Sequence, residues 1–244
     1  MSDIYFRTAQ ALRTVTFPLL LQYRQNQGLE IDQGYDTLDK NFGFPLFFDP
    51  GTDWAYGPGL DWSARLILRA SGMPTEEFMQ KNLAGPLGIN TDDMTFELQK
   101  HPNTQARRGD MTFRVDAKDG TAASLEYRDE EYWHKDNEPH GGQGIYTTPV
   151  AYKKNPEART CDLLFEPALT PLAEKDLNDY CQKFRDWVPG SPIPVEVKKS
   201  HSVGGLLTLE DCDGDRWHRK GNSSWGGLPN IIWNVDREAG ICSL

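Results

Sequence analysis

The sequence is poor in cysteine, in positive charge and in long apolar runs, and each shortage excludes a class of protein. Its 244 residues include 4 cysteines and 26 lysines and arginines against 36 acidic residues, which gives a net charge of −10. Such a chain offers no basic face to a phosphate backbone, so nucleic acid is not expected as a partner. The longest apolar stretches, 17–21 and 44–48, are far too short to cross a bilayer. We therefore expect no membrane span.

Metal and cofactor sites are also not expected. The widely spaced cysteines lack any paired spacing, which predicts four free thiols: Cys161, Cys181, Cys212 and Cys242. The histidines form no pair at i and i+4, so a bound metal is not predicted. The glycines at 141–144 are not followed by Lys-Ser/Thr, so they do not indicate a nucleotide site. The first residues show no charged segment followed by an apolar run, which predicts a cytoplasmic protein.

Two helices are predicted in the first half of the chain. Asp61 is expected to cap the first helix, and Gly72 is expected to end it. Thr75 is expected to cap the second, which is stopped at Gly85 and Pro86.

Strands are predicted mainly in the second half. Residues 97–140 are polar, rich in charge and interrupted by glycine, and we expect a loop-rich insertion there that includes a short strand at 111–115. Residues 205–210 and 215–218 flank a tight turn and predict a hairpin. Residues 230–236 predict a further strand.

The order of these elements predicts the fold class. Helices come first and antiparallel strands last, which favours an α+β fold. We expect a single domain over 1–244, with a helical part at about 1–100, the insertion at about 97–140 and a sheet part at about 195–244.

Four separated segments carry motifs that belong together. Residues 45–62 contain Pro-Gly, then Trp-x-Tyr, then Gly-x-Asp-Trp, and residues 85–90 contain Pro-Leu-Gly. Residues 141–148 read Gly-Gly-Gln-Gly-Ile-Tyr-Thr-Thr, and residues 224–230 contain Trp-Gly-Gly. This set, in this order, resembles the fungal lovastatin-type acyltransferases and their esterase relatives, members of the serine β-lactamase and penicillin-binding-protein superfamily.

The resemblance implies a fold, a site and an activity. The fold would be β-lactamase/transpeptidase-like, an antiparallel sheet flanked by helices. Tyr56 would be the catalytic tyrosine of the second motif, while Trp225, Gly226 and Gly227 would line the substrate cleft together with His201. The implied activity is that of an acyltransferase or esterase in fungal secondary metabolism. Its partner would be a small hydrophobic or polyketide-like acyl substrate, with a carrier protein as one means of delivery.

The nucleophile motif of the family, Ser-x-x-Lys, is absent, because no serine of the chain has lysine three residues later. A phenol has a pKa of about 10 and accepts a proton at neutral pH only when a nearby cation lowers that value. In the family that cation is the lysine of the motif. Relatives place the motif well upstream of the tyrosine and continue past the strand at 230–236, so we expect a fold that is incomplete at both ends. Such a fold exposes a sheet edge, and we expect self-association.

Two functional hypotheses remain open at this point. The chain is either an enzyme whose nucleophile is unidentified, or an inactive remnant or binding protein that kept the cleft. The individual residues also have structural interpretations: Tyr56 and Trp225 as packed aromatics and His201 as a hydrogen-bonded histidine without a role in chemistry.

Overall fold

The computed structural model describes most of the chain. The described residues are 18–28, 37–46, 48–116, 123–128, 139–152, 154, 158–183, 193–212, 218–227 and 232–243. The chain divides into two compact units. The first comprises Met1–Phe44 and Pro58–Lys154, and the second comprises Pro45–Gly57 and Asn155–Leu244.

Helices dominate the described part of the first unit. They are α1 (Pro18–Asn26), α2 (Leu38–Phe42), α3 (Gly59–Ser71), α4 (Thr75–Met79), α5 (Pro102–Ala106) and α6 (Pro149–Tyr152). A π-helical turn, Gln80–Ala84, continues α4, and 3-10 turns occur at Thr91–Asp93 and Leu98–Lys100. The buried core of this unit gathers around the end of α4, with the side chains of Met79, Ala84, Ile89, Met94 and Ala151.

Two short antiparallel strand pairs complete the described part of this unit. Strand β1 (Met94–Thr95) pairs with β4 (Tyr146–Thr147), and β2 (Met111–Asp116) pairs with β3 (Ala123–Arg128). The strand predicted at 111–115 is confirmed. Within the described part of the predicted insertion, α5 and the β2–β3 pair are regular elements, and the insertion as a whole stays a prediction.

Helix α3 ends where the sequence predicted and begins elsewhere. Gly72 adopts φ +68° and its N–H bonds the carbonyl of Leu68, the left-handed ending that glycine adopts without strain. The predicted cap at Asp61 was wrong. The helix begins at Gly59, so Asp61 lies in its first turn, where a carboxylate also suits the positive end of the helix dipole.

The second predicted helix is confirmed with one correction. It begins at Thr75, and the residue before it, Pro74, occupies the cap position without a side-chain hydrogen bond. Thr75 is therefore the first helical residue instead of the cap. The π-helical continuation stops at Gly85 as predicted, where the Gly85 N–H bonds the carbonyl of Gln80.

The second unit contains a five-stranded antiparallel sheet whose order follows the sequence. Its strands are β5 (Lys199–His201), β6 (Leu206–Thr208), β7 (Ser223–Gly226), β8 (Ile232–Asp236) and β9 (Ile241–Ser243). Two helices precede it, α7 (Ala158–Leu163) and α8 (Pro171–Lys183). Leu177 and Cys181 of α8 pack with Leu206 of the sheet in one buried cluster that forms the core of this unit.

The strand predictions for this unit were partly right. The first strand of the predicted hairpin is β6, whereas Asp215 to Trp217 lie outside the described residues. The described neighbours of β6 are β5 and β7. Strand β8 confirms the prediction at 230–236 over Ile232–Asp236. A further strand, β9, follows β8 and pairs with it.

Helices followed by an antiparallel sheet confirm the predicted α+β class. All four cysteines are free thiols, as predicted. Among the helices that the structure describes, none combines the length and the apolarity that a bilayer crossing demands.

Candidate active site

Three of the residues predicted from sequence lie together in the second unit. The rings of Tyr56 and Trp225 are stacked, with centroids 5.9 Å apart and an angle of 24° between their planes. The His201 ring meets Trp225 edge-on at a centroid distance of 5.2 Å. Tyr56 is 38% exposed, so its phenol is open to solvent. The fold thus joins three distant sequence segments into one aromatic cluster: Tyr56, Trp225 and His201.

Strand β7 places the Trp-Gly-Gly motif beside this cluster. The strand pairs with β8 along its whole length, Trp225 opposite Trp233 and Gly226 opposite Ile232. Its pairing with β6 stops one residue before Trp225, at Ser224. Backbone groups of alternate residues face opposite sides of a strand, and the Asn222 carbonyl, which accepts from the Thr208 N–H, faces β6. Gly226 therefore also faces β6 and has no ladder partner there, whereas Trp225 faces β8; the Gly226 backbone is buried. Gly227 follows directly and is exposed.

His201 presents a neutral imidazole to the cluster. Burial lowers the pKa of His201, because the charged form loses hydration. Its Nδ1 lies 2.5 Å from the carbonyl oxygen of Ser202, so Nδ1 must carry the proton and donate it. The Nε2 lone pair is then an acceptor.

The serines close to the cluster are poorly placed for nucleophilic attack. Ser200, Ser202, Ser223 and Ser224 are all buried. The Ser202 hydroxyl also accepts from the N–H groups of Gly204 and Gly205, at 3.0 and 3.1 Å. A nucleophile must reach its substrate, so these hydroxyls do not replace the missing motif.

The buried lysine of this unit is likewise engaged elsewhere. Lys199 is 2% exposed, and its ammonium donates to the carbonyls of Pro194 and Val197, at 2.6 Å each. Burial lowers the pKa of Lys199. Within the described part of the chain, no hydrogen bond is formed with the Tyr56 hydroxyl. The lysine therefore braces the turn before β5 and is not the cation that the tyrosine requires.

The segment that carries Tyr56 is held against helix α8 by hydrogen bonds and a ring contact. The Thr170 hydroxyl, just before the helix, donates to the carbonyl of Gly51. The Trp54 N–H donates to Asp176 Oδ2 at 3.1 Å, and the Trp54 ring meets Tyr180 edge-on at 5.2 Å. Asp176 and Tyr180 stand one turn apart on one face of α8. Three contacts thus fix the backbone that leads to Tyr56.

The carboxyl groups of Asp53 and Asp176 take part in these contacts. The Trp54 N–H also donates to Asp53 Oδ1, at 2.9 Å, so one amide serves two acids. The pKa of Asp176 is raised to about 6 by burial and by a hydrogen bond with Asp53. Sequence reasoning missed both residues. Asp53 stands inside the tyrosine motif, but nothing in the helical pattern of 171–183 distinguished Asp176.

Metal-ligating clusters of three or more His, Cys, Asp or Glu residues do not occur in the described segments.

Known proteins resemble this chain in sequence and in fold. Monacolin J acid methylbutanoyltransferase of Aspergillus terreus is 38% identical over 239 residues, which cover 93% of this chain and 56% of that protein. Lovastatin esterase of Penicillium rubens is 30% identical over 243 residues, with coverage of 93% and 58%. Unliganded simvastatin synthase from Aspergillus terreus superposes with a TM-score of 0.72 at 36% identity, over 95% of this chain and 56% of that structure.

No protein-family model matches the chain. The chain spans about half the length of the curated relatives it matches. The sequence alignment and the structural superposition nevertheless each extend over more than nine tenths of this chain. Over this length, the homologues of the chain are thus fungal lovastatin-type acyltransferases and esterases.

Proposed function

We propose that this chain serves acyl transfer, as an acyltransferase or esterase that acts on a small hydrophobic or polyketide-like acyl substrate. The observation that carries the proposal is the stacking of Tyr56 on Trp225, beside the end of β7 that does not pair with β6. The names of the relatives agree with it, since they include a methylbutanoyltransferase and a lovastatin esterase.

Each group of the cluster has a place in such a reaction. An attacking hydroxyl forms a bond to the acyl carbon while the ester C–O bond breaks. Tyr56 would take the proton of the attacking hydroxyl and return it to the leaving oxygen, a role for which a phenol needs a nearby cation that Lys199 does not supply. The Gly226 N–H, which lies beyond the end of the β6 ladder, can donate to the carbonyl oxygen as it becomes negative.

The surroundings of the cluster favour an uncharged acyl group. Trp225 supplies an aromatic face, and it packs against the buried core of the second unit. His201 is held neutral by burial and adds no charge. A chain of methylene groups gains from contact with such a surface, whereas an ionised acid does not.

A specific observation favours a second candidate. The sequence contains no Ser-x-x-Lys, and the described serines near the cluster are buried. A chain with the base and the cleft but without the nucleophile would bind an acyl ester and not turn it over. This second candidate is a binding protein of the same fold.

The partners and the location are further parts of the proposal. We propose delivery of the acyl group by a carrier protein, which acyl transfer from a phosphopantetheine thioester would test. We propose a cytoplasmic location, to be checked with a fluorescent fusion. We also propose self-association through β9, which pairs with β8 alone among the described strands and is exposed throughout.

The test measures hydrolysis of p-nitrophenyl butyrate by the purified chain and by Tyr56→Phe. Tyr152→Phe is the matched control, because Tyr152 is also solvent-exposed but lies in the first unit. We expect Tyr56→Phe to lower turnover by about 10²-fold or more, the range of a lost general base. Tyr152→Phe should leave it unchanged.

Three other results are informative. Equal turnover in both variants would overturn the proposed role of Tyr56. Ester binding without turnover would establish the second candidate. It would be detected as a change in tryptophan fluorescence when the ester is added to the native chain, a change that is smaller in Trp225→Phe. Neither binding nor turnover would refute both.

A further inference from the structure

The second unit holds two carboxyl groups that the acyl-transfer chemistry does not use. Asp53 precedes Trp54 in the tyrosine motif, and Asp176 lies in the middle of α8. Both accept the same backbone N–H, that of Trp54, at 2.9 and 3.1 Å. Because their oxygens lie 2.9 and 3.1 Å from one nitrogen, the two carboxyl groups are neighbours, and Asp53 contributes to the raised pKa of Asp176.

The position of the pair connects it to the catalytic tyrosine. Trp54 is held by its amide to the two acids and by its ring to Tyr180. Tyr56 follows two residues later and is stacked on Trp225. Any displacement of the Trp54 backbone from α8 is therefore passed directly to the Tyr56 ring.

We propose that Asp53 and Asp176 share one proton and act as a positioning pair, which holds Tyr56 against Trp225 and loosens when both acids ionise. Two carboxylates within hydrogen-bonding distance repel each other, and the single Trp54 amide cannot satisfy both. The proposal rests on the proposed function only in naming Tyr56 as the base.

The charges around the pair are few. On α8 itself, Asp179 adds a negative charge that also opposes ionisation of Asp176. Lys175 of the same helix forms an ion pair with Asp179 and exerts a weaker attraction on Asp176. Tyr180 is the remaining titratable neighbour, and burial raises its pKa, so it stays neutral. No described cation pairs with the two acids in compensation.

The ionisation of Asp176 falls in a pH range that experiments can reach. The pKa of Asp176 is raised to about 6 by burial first and by Asp53 second. A folded-state pKa above the unfolded value means that the folded protein binds more protons between pH 4 and 6. Stability is therefore highest near pH 4 with respect to this group and falls as the pH rises to about 6.

The test follows the backbone amide of Trp54 by two-dimensional NMR from pH 4.5 to 7.5. In the native chain its shift should titrate with a midpoint near 6. In Asp176→Asn the Trp54 amide shift should not titrate in this range. The side-chain amide of the variant is uncharged at every pH of the experiment, and its N–H can donate to Asp53 as the protonated carboxyl group did. Asp179→Asn is the matched control on the same helix; it should keep the titration and move its midpoint slightly downward, since one repelling charge is gone.

Melting temperatures provide a second measurement. The Tm of the native chain and of Asp179→Asn should fall between pH 4.5 and 7, and this part of the fall should vanish in Asp176→Asn. If Asp176→Asn does not fold, Asp53→Asn takes its place: the buried Asp176 should still titrate, but with a midpoint lower than in the native chain, because the contribution of Asp53 is gone. The proposal of a proton-sharing pair would be refuted if the Trp54 amide does not titrate. It would also be refuted if the amide titrates alike in the native chain and in the Asn variant.

The two proposals can fail separately. The Trp54 amide reports on the acids without any substrate, so its titration stands even if the chain turns over no ester. If turnover is found, its decrease above pH 6 should be smaller in Asp176→Asn than in the native chain, with Asp179→Asn behaving as native. Equal decreases would separate the pair from Tyr56 and overturn its positioning role.

Discussion

Gly141 in the first unit provides the sharpest prediction of stability. A Cβ atom at this position would lie 2.2 Å from the carbonyl oxygen of Leu60 and 2.9 Å from the Cβ of Ala64. Both belong to α3, and Ala64 is buried. Because neither obstacle is the end of a flexible side chain, Gly141→Ala must push the 141–148 segment away from the helix.

The expected cost has two parts. Overpacking of a tightly filled site costs about 1–3 kcal/mol. The displacement also strains the hydrogen bond from the Gly142 N–H to Asp61 Oδ1, which is 2.9 Å long, and a bond to a charged group contributes about 1.5–3 kcal/mol. Since part of that bond can be kept after relaxation, we expect Gly141→Ala to lower the free energy of unfolding by about 2–4 kcal/mol.

Two further glycines calibrate the measurement. At Gly142 a Cβ would meet Asp61 Oδ1 at 3.1 Å, so this side-chain atom has to shift only slightly and can keep its hydrogen bond; Gly142→Ala should therefore cost less than Gly141→Ala. At Gly109 nothing lies within 4 Å, so Gly109→Ala should change stability by less than about 0.5 kcal/mol. Urea unfolding followed by far-UV circular dichroism gives all three values from the midpoint and slope.

A loss in Gly141→Ala no greater than that in Gly109→Ala would refute the steric argument. It would show that the 141–148 segment does not pack on α3 as closely as the distances state. A loss in Gly142→Ala equal to that in Gly141→Ala would instead assign the cost to the Asp61 hydrogen bond.

The remaining predictions concern the sheet of the second unit. Arg219 forms two hydrogen bonds with Asp236, at 2.9 and 3.2 Å, and lowers the pKa of that carboxyl. The stabilisation is therefore present above about pH 4 and is lost as the pH falls through the folded-state pKa, so acid unfolding of Asp236→Asn should lack this component. Ile241 of β9 is 55% exposed, and Ile241→Lys should shift any dimer seen by size-exclusion chromatography towards monomer, with unchanged circular dichroism. A native chain that elutes only as a monomer would sink the proposal of self-association through β9.

Several features of this protein followed from the sequence alone. Gly72 after an apolar helical face predicted the end of α3, and Gly85-Pro86 predicted the end of the next helix, because the conformational limits of glycine and proline act locally. Strand β8 followed from a run of β-branched and aromatic residues. The motif around Tyr56 and the Trp-Gly-Gly motif predicted the family, since each is short and contiguous in the chain.

Other features depended on contacts between distant segments, and there the sequence was insufficient. Asp61 looked like a helix cap, but the fold uses its carboxylate to hold Gly142, 81 residues away. Helix α8 had no feature that distinguished Asp176, yet packing brings its carboxyl to Trp54, 122 residues away. Propensity is set by a residue and its neighbours, whereas proton sharing and burial depend on distances that only tertiary packing determines. The sequence therefore determined which residues could do chemistry, and the tertiary structure decided which of them meet and in which protonation state.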